Sequence, residues 1–409
     1  MPTIAYLANA FPSPVEPYVM DEIRELRSRG VTVIPCSARR AGLRLSENLK
    51  AWAEETTYLQ PLRFGLLLRA GWLCVWKISR LKGLFLRALC RKTRTECRFR
   101  ALLHTLLGAY YALLLEKRQV AHIHVHHGYF GSWIAMVAAR LLDIPFSMTL
   151  HGSDLLIHAA YLDIKLKECH FCVTVSEFNR QHILEAYPET DPVKVFVRRM
   201  GVDCSVPSVR PGSTRSEDSP LAMLAVGRLH PVKDYTFLLR ACELLKTRGL
   251  RFVCSIVGEG PERPALERLI RDLHLELEIR LLGQLTRHEV DEQYQQAGLI
   301  VLSSRSEGIP LVLMEAMARG KVVLAPAITG IPELVVDATT GFLYQAGSLE
   351  HFVARVELIA TIRSALTPLR QAAREQVVQH FSREKNVTAF CDLLLSYPQA
   401  QPTRVSILA

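Results

Sequence analysis

The sequence predicts an α/β protein of two domains, each built on a parallel sheet with helices on both faces. Apolar, strand-like runs alternate with amphipathic helical segments through both halves of the chain, as in repeated βα units. A length of 409 residues suits two domains that each bury their own core. Residues 205–220 interrupt the alternation with a stretch rich in Ser and Pro and without hydrophobic periodicity, which is typical of a linker.

The N-terminal domain is predicted to span residues 1–204. A helix is expected at 16–29, between the first two strands. The expected strands lie near 3–8, 31–36, 121–126, 145–150, 171–175 and 193–199.

The segment 61–118 departs from this alternation because it is basic and apolar at once. It contains thirteen Lys or Arg residues against two acidic ones, Glu96 and Glu116. Its longest uncharged run, residues 101–115, is shorter than the roughly 20 residues that a membrane span needs. We interpret the segment as basic amphipathic helices that lie on an anionic membrane surface. An ordinary helical insertion with a solvated basic face is the alternative, and no nucleic-acid-binding motif accompanies the segment.

The second domain is predicted to span residues 221–372, and residues 373–409 to form a helical tail that crosses back to the N-terminal domain. Its expected strands lie at 221–226, 252–257, 279–282, 299–302 and 321–325. Ligands of open α/β sheets bind at the carboxyl ends of the strands. We therefore expect those ends of both sheets to face a cleft between the domains.

The composition is that of a soluble, folded protein, with 49% hydrophobic and 22% charged residues. Its ten cysteines stand mostly in apolar or helical contexts, as reduced buried thiols do. Cys169 and Cys172 form a lone Cys-x-x-Cys pair, for which packing is favoured over zinc or redox use. The N-terminus lacks the basic region of a signal peptide and is rich in proline, so a cytoplasmic location is expected.

Two glutamates separated by seven residues, Glu307 and Glu315, mark the most informative motif. They follow the apolar run 298–302 and flank a Gly-Ile-Pro turn, which predicts strand, loop and helix. Pro310 suits the first helical position, and Gly320 suits the position just past the helix end. A helix N-terminus attracts phosphate. One ligand with hydroxyl groups on both sides of a diphosphate, such as a nucleotide-sugar, could therefore contact both carboxylates and the helix end.

A second motif, Gly227-Arg228 followed by Lys233, stands after the strand at 221–226. Arg binds phosphate through bidentate hydrogen bonds and Lys through a mobile charge, so a loop with both suits a diphosphate. Residues 258–261 (Gly-Glu-Gly-Pro) end the next strand with a glycine turn. Each pattern alone is weak, since surface charges or a tight turn would explain it.

Taken in order, these patterns closely resemble the retaining glycosyltransferases of family four, which have the two-domain GT-B fold. The resemblance is strongest to bacterial exopolysaccharide and lipopolysaccharide enzymes, spans residues 221–344, and includes the E-x7-E signature and the motif at 330–341. The first half resembles the family more loosely, through residues 149–154 (Thr-Leu-His-Gly-Ser-Asp) and 175–177. Residues 8–18 stand where many members have a glycine-rich loop, and are more similar to the Phe-Pro type of some exopolysaccharide enzymes.

The resemblance implies roles for the matching residues. Arg228 and Lys233 would bind the donor diphosphate and stabilise the leaving group. Glu315 would hold the ribose hydroxyls, and Glu307 would bind hydroxyls of the transferred sugar. His151 matches the family's histidine at the donor sugar. The other implied donor-binding residues lie in the surrounding loops, where Leu282 and Gly283 would line the base pocket: Gly227, Leu282, Gly283, Gly308, Ile309, Pro310 and Leu311.

No Asp-x-Asp pair occurs in the chain, which fits the metal-free mechanism that the resemblance implies, and no cofactor is expected. His122, His124 and His126 share one face of a predicted strand, beside His127. We interpret this strand as one of mixed polarity at the cleft, with metal binding and a position near the acceptor as alternatives.

These observations lead to one hypothesis, a cytoplasmic, membrane-peripheral, retaining glycosyltransferase. It would move a sugar from a nucleotide-sugar, favoured as a uridine diphosphate sugar on base rate alone, to a polysaccharide or lipid-linked glycan acceptor. Another GT-B enzyme, such as a nucleotide-sugar epimerase, and a non-catalytic nucleotide-sugar-binding subunit are the alternatives.

Overall fold

The computed structural model describes residues 2–13, 16–40, 47–90, 95–157, 159–206 and 219–397. Contacts divide the chain into two units: unit 1 comprises Met1–Arg198 and Val387–Ala409, and unit 2 comprises Arg199–Asn386. The prediction had placed the division at 204 and the start of the tail at 373. Most of the predicted linker, residues 207–218, lies outside the described part of the chain.

Unit 1 is built on a seven-stranded sheet of order β3-β2-β1-β4-β5-β6-β7 whose neighbouring strands are all parallel. Every residue of β4 and β5 is buried, as expected for central strands covered on both faces. The strands are β1 Thr3–Ala10, β2 Thr32–Arg39, β3 Thr57–Tyr58, β4 Val120–His126, β5 Phe146–Leu150, β6 Cys172–Thr174 and β7 Val195–Val197.

Helices cover both faces of this sheet. Helix α6 is the most deeply buried of them and packs along α5. The helices are α1 Pro17–Ser28, α2 Glu47–Glu55, α3 Phe64–Trp76, α4 Ile78–Cys90, α5 Thr95–Leu115, α6 Phe130–Leu142, α7 Ser153–Leu156, α8 Leu162–Glu168, α9 Glu177–Ala186 and, from the end of the chain, α17 Arg383–Ser396, which from Val387 onward belongs to unit 1. Cys169 and Cys172 are buried free thiols.

Unit 2 has a six-stranded parallel sheet of order β10-β9-β8-β11-β12-β13. Its strands are β8 Leu221–Val226, β9 Phe252–Val257, β10 Ile279–Gly283, β11 Leu299–Val301, β12 Val322–Pro326 and β13 Phe342–Tyr344. Its helices are α10 Tyr235–Thr247, α11 Arg263–Asp272, α12 Arg287–Gln296, α13 Leu311–Ala318, α14 Ile331–Leu334, α15 Leu349–Thr361 and α16 Thr367–His380.

Local sequence explains where these helices begin and which side they bury. The Asp234 side chain caps α10 by accepting a hydrogen bond from the Phe237 amide, and Thr286 forms a capping box with Glu289 at α12. In α10 the buried Leu238, Ala241 and Leu245 follow the helical repeat.

The predicted strands and the α/β class are confirmed, with boundaries that differ by a few residues. Two short edge strands, β3 and β13, were missed because too few residues carry the pattern. The prediction for Pro310 was wrong by one position. This proline is extended and caps α13, which begins at Leu311, and its carbonyl accepts from the amides of Leu313 and Met314.

The basic, apolar segment 61–118 forms α3, α4 and α5. Helix α3 buries Ala70 and Leu73 against the rest of unit 1. Phe64, Leu68 and Trp72 on another face of this helix are more than half exposed, at 75%, 59% and 54%. Within the described ranges, none of the helices combines the length and the hydrophobicity that a membrane span requires.

Candidate active site

An ion pair joins two of the predicted donor-binding residues in unit 2. The Lys233 Nζ donates to Glu307 Oε1 at 2.5 Å, and both side chains are largely buried. Lys233 follows β8 and Glu307 follows β11, which are neighbours in the sheet. The two residues are 74 positions apart, so the fold creates this contact at the carboxyl ends of adjacent strands.

The turn that carries Lys233 is fixed by the segment that carries Glu307. The Ser303 hydroxyl donates to the Lys233 carbonyl at 2.7 Å, and the Arg305 amide donates to the Val232 carbonyl at 2.8 Å. The Arg305 guanidinium also pairs with Asp234 at 2.7 Å. The positions of the lysine and the glutamate are therefore set together.

Two glycines bring the loop after β9 against the loop after β8. A Cβ on Gly258, whose φ is +142°, would lie 1.9 Å from the Gly227 carbonyl oxygen, and one on Gly260 would lie 2.3 Å from the Leu229 carbonyl oxygen. No side chain fits at either position without displacing backbone. The amide of Leu229 donates to the Glu259 carbonyl at 2.9 Å. The glycine turn thus supports the loop that presents Arg228.

Helix α13 begins directly after the loop that carries Glu307. The first amides of a helix have no partner within it. The hydroxyls of Ser304 and Ser306 in the same loop are buried and have no hydrogen-bond partner among the described residues. Since buried polar groups are normally paired, we expect a ligand or water to bind here. Gly308 and the buried Ile309 lie in this loop, and Leu311 is the first residue of α13.

Glu315 stands on α13 and is held from two sides. The Arg287 Nη1 donates to Glu315 Oε1 at 2.6 Å, and the Tyr294 hydroxyl donates to Glu315 Oε2 at 3.1 Å. Burial and the neighbouring Glu315 raise the pKa of Tyr294 well above its usual value, so this phenol remains a donor. Neither partner of Glu315 was predicted from the sequence. The sequence does contain a capping box, formed by Thr286 and Glu289, which indicates that a helix begins at Arg287.

The remaining predicted donor-binding residues stand after β8 and at the end of β10. The Arg228 side chain is exposed and has no ion-pair partner within the described ranges. Gly283 ends β10 with a φ of +73°, and its carbonyl accepts from the Gly258 amide at 2.8 Å. Leu282, beside it, is partly buried.

His151 is the predicted site residue of unit 1, and it follows β5 directly. The carboxylate of Asp154 accepts hydrogen bonds from the amides of His151 (3.0 Å), Gly152 (2.7 Å) and Gly128 (2.8 Å). Burial alone would raise the pKa of Asp154, but the hydrogen bond and charge of His127 hold it well below its usual range. Asp154 is therefore a buried anion that fixes the loop of His151.

His127 is the cationic partner of that anion. Its Nε2 lies 2.9 Å from Glu16 Oε1 and its Nδ1 lies 3.7 Å from Asp154 Oδ2. Burial disfavours the charged ring, but its bonds to the two carboxylates outweigh this effect and raise the pKa of His127 to about 9. Residues 14–15 of the predicted Phe-Pro loop lie outside the described residues, whereas Glu16 from its end enters this site.

His151 ends a chain of hydrogen bonds that begins at Tyr6. The Tyr6 hydroxyl donates to the Glu22 carboxylate, which lies 2.9 Å from His126 Nε2. His126 Nδ1 lies 2.9 Å from His151 Nε2. The pKa of His151 is well below its usual value because of burial and the repulsion of His127 and His126, so this ring is neutral.

The histidine strand predicted at 121–126 is entirely buried. Glu22, His124 and His126 each offer an atom within 4.8 Å of the others, a spacing that a metal ion could also use. Both ring nitrogens of His124 already contact hydroxyls, those of Ser147 and Thr149, and both nitrogens of His126 are engaged in the chain. We therefore interpret the group as a hydrogen-bonded network.

Two Rossmann-like units, each built on a parallel sheet, give the chain the GT-B fold, and the second unit carries the E-x7-E pair of Glu307 and Glu315. Two family models match the chain: "Glycosyltransferase Family 4" over residues 15–206 and "Glycosyl transferases group 1" over residues 210–376. The chain belongs to glycosyltransferase family four.

Curated relatives are similar over part of the chain. A Salmonella typhimurium protein named for colanic acid biosynthesis, WcaL, is 35% identical over 47% of this chain and 49% of its own length. The amylovoran biosynthesis glycosyltransferase AmsK of Erwinia amylovora is 30% identical over 46% of this chain and 48% of its own length. The matches span about half the length of these relatives.

Solved structures are similar over nearly the whole chain at low sequence identity. Anabaena Alr3699/HepE in complex with UDP and glucose superposes with a TM-score of 0.71 at 17% identity, over 97% of this chain and 100% of that one. A glycosyltransferase from Rickettsia africae has a TM-score of 0.68 at 19% identity, over 97% and 100% of the two chains. These likenesses show the fold.

Proposed function

We propose that this protein transfers a sugar from a uridine diphosphate sugar to a polysaccharide or lipid-linked glycan acceptor, with retention of configuration. The observation that carries the proposal is the Lys233–Glu307 pair beside the buried Ser304 and Ser306 hydroxyls, at the start of α13. A cation, unpartnered hydroxyls and a helix N-terminus together suit a diphosphate that bears a sugar.

Departure of the nucleoside diphosphate builds negative charge on its phosphate oxygens. Lys233, Arg228 and the amides at the start of α13 would stabilise that charge where it develops. Arg228 is exposed and Lys233 is held by Glu307, so a bound diphosphate would gain one new cation and share a second with the glutamate.

The two glutamates have different surroundings, which supports different roles. Glu307 sits beside the cation that would bind phosphate, and we assign it to hydroxyls of the transferred sugar. Glu315 is held by Arg287 and Tyr294, and we assign it to the ribose hydroxyls. Glu315 Oε1 and Oε2 each retain acceptor capacity for a further donor.

Metal independence and the uridine donor are parts of the proposal. The absence of an Asp-x-Asp pair from the sequence supports a metal-free mechanism. A uridine donor is supported by the solved Anabaena protein, whose structures were determined with UDP and with UDP-glucose. The names of WcaL and AmsK support an acceptor in exopolysaccharide synthesis.

We also propose that helices α3 to α5 hold the protein on the anionic cytoplasmic face of a membrane. Ten of the sixteen large hydrophobic residues exposed among the described residues lie within residues 61–118. The rings of Trp72 and Trp76 stack with centroids 5.2 Å apart, and the Lys77 ammonium lies 4.1 Å from the Trp76 ring centroid. An exposed apolar face rimmed by cations is suited to an interface of acidic headgroups and acyl chains.

Transfer is tested by incubating the protein with single nucleotide-sugars and a lipid-linked glycan extract, and by measuring released nucleotide and the mass of the product. Release with a uridine donor that depends on the acceptor, and an α-linked product from an α-linked donor, are expected. Conversion of the donor sugar without acceptor would instead identify an epimerase. Donor binding without release or transfer would identify a binding subunit.

Membrane association is tested by flotation with vesicles that contain phosphatidylglycerol. We expect the protein to float and the combined Phe64→Ser, Leu68→Ser and Trp72→Ser variant to remain in solution. Leu277→Ser is the matched control because Leu277, in unit 2, is 85% exposed. Equal flotation of the triple variant and the control would contradict the proposal.

A further inference from the structure

One polar atom at the site of unit 1 has no partner. His151 Nδ1 is buried and makes no hydrogen bond to any described residue, whereas the other ring nitrogen contacts His126. An unsatisfied buried polar atom destabilises a protein. We therefore expect a group other than the described residues, such as a ligand hydroxyl, to form a hydrogen bond with His151 Nδ1.

The hydrogen-bond chain determines what Nδ1 offers to that group. An ionised Glu22 can only accept, so His126 Nε2 carries a proton. A neutral His126 then has a bare Nδ1, which accepts from His151 Nε2–H. A neutral His151 with its proton on Nε2 has a bare Nδ1, which accepts a hydrogen bond.

One additional proton on the Glu22–His126 pair reverses the hydrogen bond between His126 and His151. His126 Nδ1 then carries a proton and donates to His151 Nε2. The neutral His151 must hold its own proton on Nδ1, which becomes a donor. This outcome is the same whether the added proton resides on the carboxylate or on the imidazole, because the proton belongs to the coupled pair.

We propose that Glu22 and His126 are positioning residues that set the tautomer of His151, so that Nδ1 accepts a hydrogen bond from a substrate hydroxyl. The proposal rests on the proposed function, because the hydroxyl belongs to the sugar or to the acceptor. Neither Glu22 nor His126 was singled out for this role by the sequence.

The surroundings favour the pair over His151 as the place for a proton. His127, whose cationic ring centroid lies 4.5 Å from that of His151, repels a second charge on it. The other titratable or polar groups packed around the chain come from α1 and its preceding loop, β1, β4, the loop after β5, α9 and α17: Glu16, Tyr18, Tyr6, His124, Asp154, Asn179 and Cys391.

The first experiment compares the kinetics of sugar transfer by the wild type and by Glu22→Gln. Glu22→Gln is expected to lower kcat about 100-fold and to leave the donor KM within about threefold, because the carboxylate no longer sets the tautomers of His126 and His151.

His122→Gln is the matched control. His122 is a buried histidine on the same strand, and its Nε2 contacts Ser147 outside the chain of bonds to His151. Its variant should keep a kcat near that of the wild type. An unchanged kcat in Glu22→Gln, with a melting temperature like that of the wild type, would overturn the proposal.

The second experiment reads the tautomer without any activity. Long-range proton–nitrogen spectra of protein labelled with 15N-histidine, assigned with a His151→Gln variant, should show His151 protonated on Nε2. Glu22→Gln should give a mixture of tautomers. A proton on Nδ1 in the wild type would overturn the proposal, even if the protein transfers sugar as proposed. One equivalent of retained zinc whose removal abolishes transfer would also overturn it, because a metal on Glu22, His124 and His126 would displace these protons.

Discussion

The ionisable groups at the carboxyl edges of the two sheets differ in how fully they are paired within the protein. At the edge of unit 1 these groups are buried and paired with one another, as in His127 with Glu16 and Asp154. At the edge of unit 2, Arg228 is exposed and Lys233 is paired with a single carboxylate, that of Glu307. The charges of unit 1 therefore neutralise one another within the protein. In unit 2, the charge of Arg228 remains available to a ligand.

This difference means that similar substitutions should have different consequences in the two units. Buried charges that pair with each other affect folding when one is removed. Exposed charges contribute little to folding but can contribute to the binding of an anion. Activity and stability measured on the same variants separate the two conditions.

Lys233→Ala should have the largest effect on sugar transfer, and it tests whether the cations of unit 2 bind a ligand. Loss of a fixed cation at the developing phosphate charge is expected to lower kcat/KM for sugar transfer about 10³-fold. The melting temperature should also fall, because the largely buried Glu307 loses its cation, so folding of the variant is checked by circular dichroism. Lys246→Ala, which removes another paired lysine of unit 2, should keep near wild-type transfer. Similar activity in both variants would contradict the assignment.

Asp154→Asn tests whether the paired charges of unit 1 stabilise its fold. This carboxylate is fully buried and accepts three backbone hydrogen bonds near a cationic histidine. Its neutralisation leaves His127 without one of its two anions and should destabilise unit 1 by about 4 kcal/mol. Chemical unfolding followed by circular dichroism measures the change. Asp163→Asn, on α8 of the same unit, is the control, and a loss of similar size there would remove the distinction.

The pH dependence of stability tests the charge on His127. The pKa of this ring in the folded protein is raised to about 9, above the ordinary value of about 6.5. The stabilisation is therefore complete below about pH 6.5 and is lost as the pH rises toward 9, by up to about 3 kcal/mol. Calorimetry of the wild type should show unfolding temperatures that decline across this range. In Glu16→Gln the decline should be smaller and should occur at lower pH.

Arg228→Ala should have the smallest effect and should be confined to the donor. An exposed guanidinium without an ion-pair partner among the described residues stabilises the fold little. Loss of a charged hydrogen bond to phosphate is expected to raise the KM for the donor about tenfold. Arg228→Lys should recover part of this loss. A lowered melting temperature with an unchanged KM would place Arg228 in the folding of unit 2 instead.

Much of unit 2 was predictable because its site residues stand in short, ordered motifs. Lys233 and Glu307 were each identified from the loop that follows a strand. Their direct contact was not predicted, because it depends on β8 and β11 being neighbours although two strands separate them along the chain. The one-residue error at Pro310 arose because proline is compatible both with the cap and with the first turn.

The network of unit 1 was less predictable because its members come from distant segments. Glu22 lies on α1, and only the pairing of β1 with β4 brings that region to His126. A signal was present in the sequence, since Glu22 stands between Val19, Ile23 and Leu26 on the apolar face of its helix. An acidic residue in such a position requires a buried partner. Nothing in the local pattern indicates that the partner is a histidine.

The return of the last helix to unit 1 has a consequence for the order in which the polypeptide matures. The Phe390 ring packs against His124 at 5.2 Å between centroids, and Asp392 pairs with Arg29 at 2.6 Å. Residues 199–386 are synthesised before either contact can form. As the chain leaves the ribosome, unit 2 therefore acquires all of its residues first. The contact between Phe390 and His124 of β4 can form only after Phe390 has been translated.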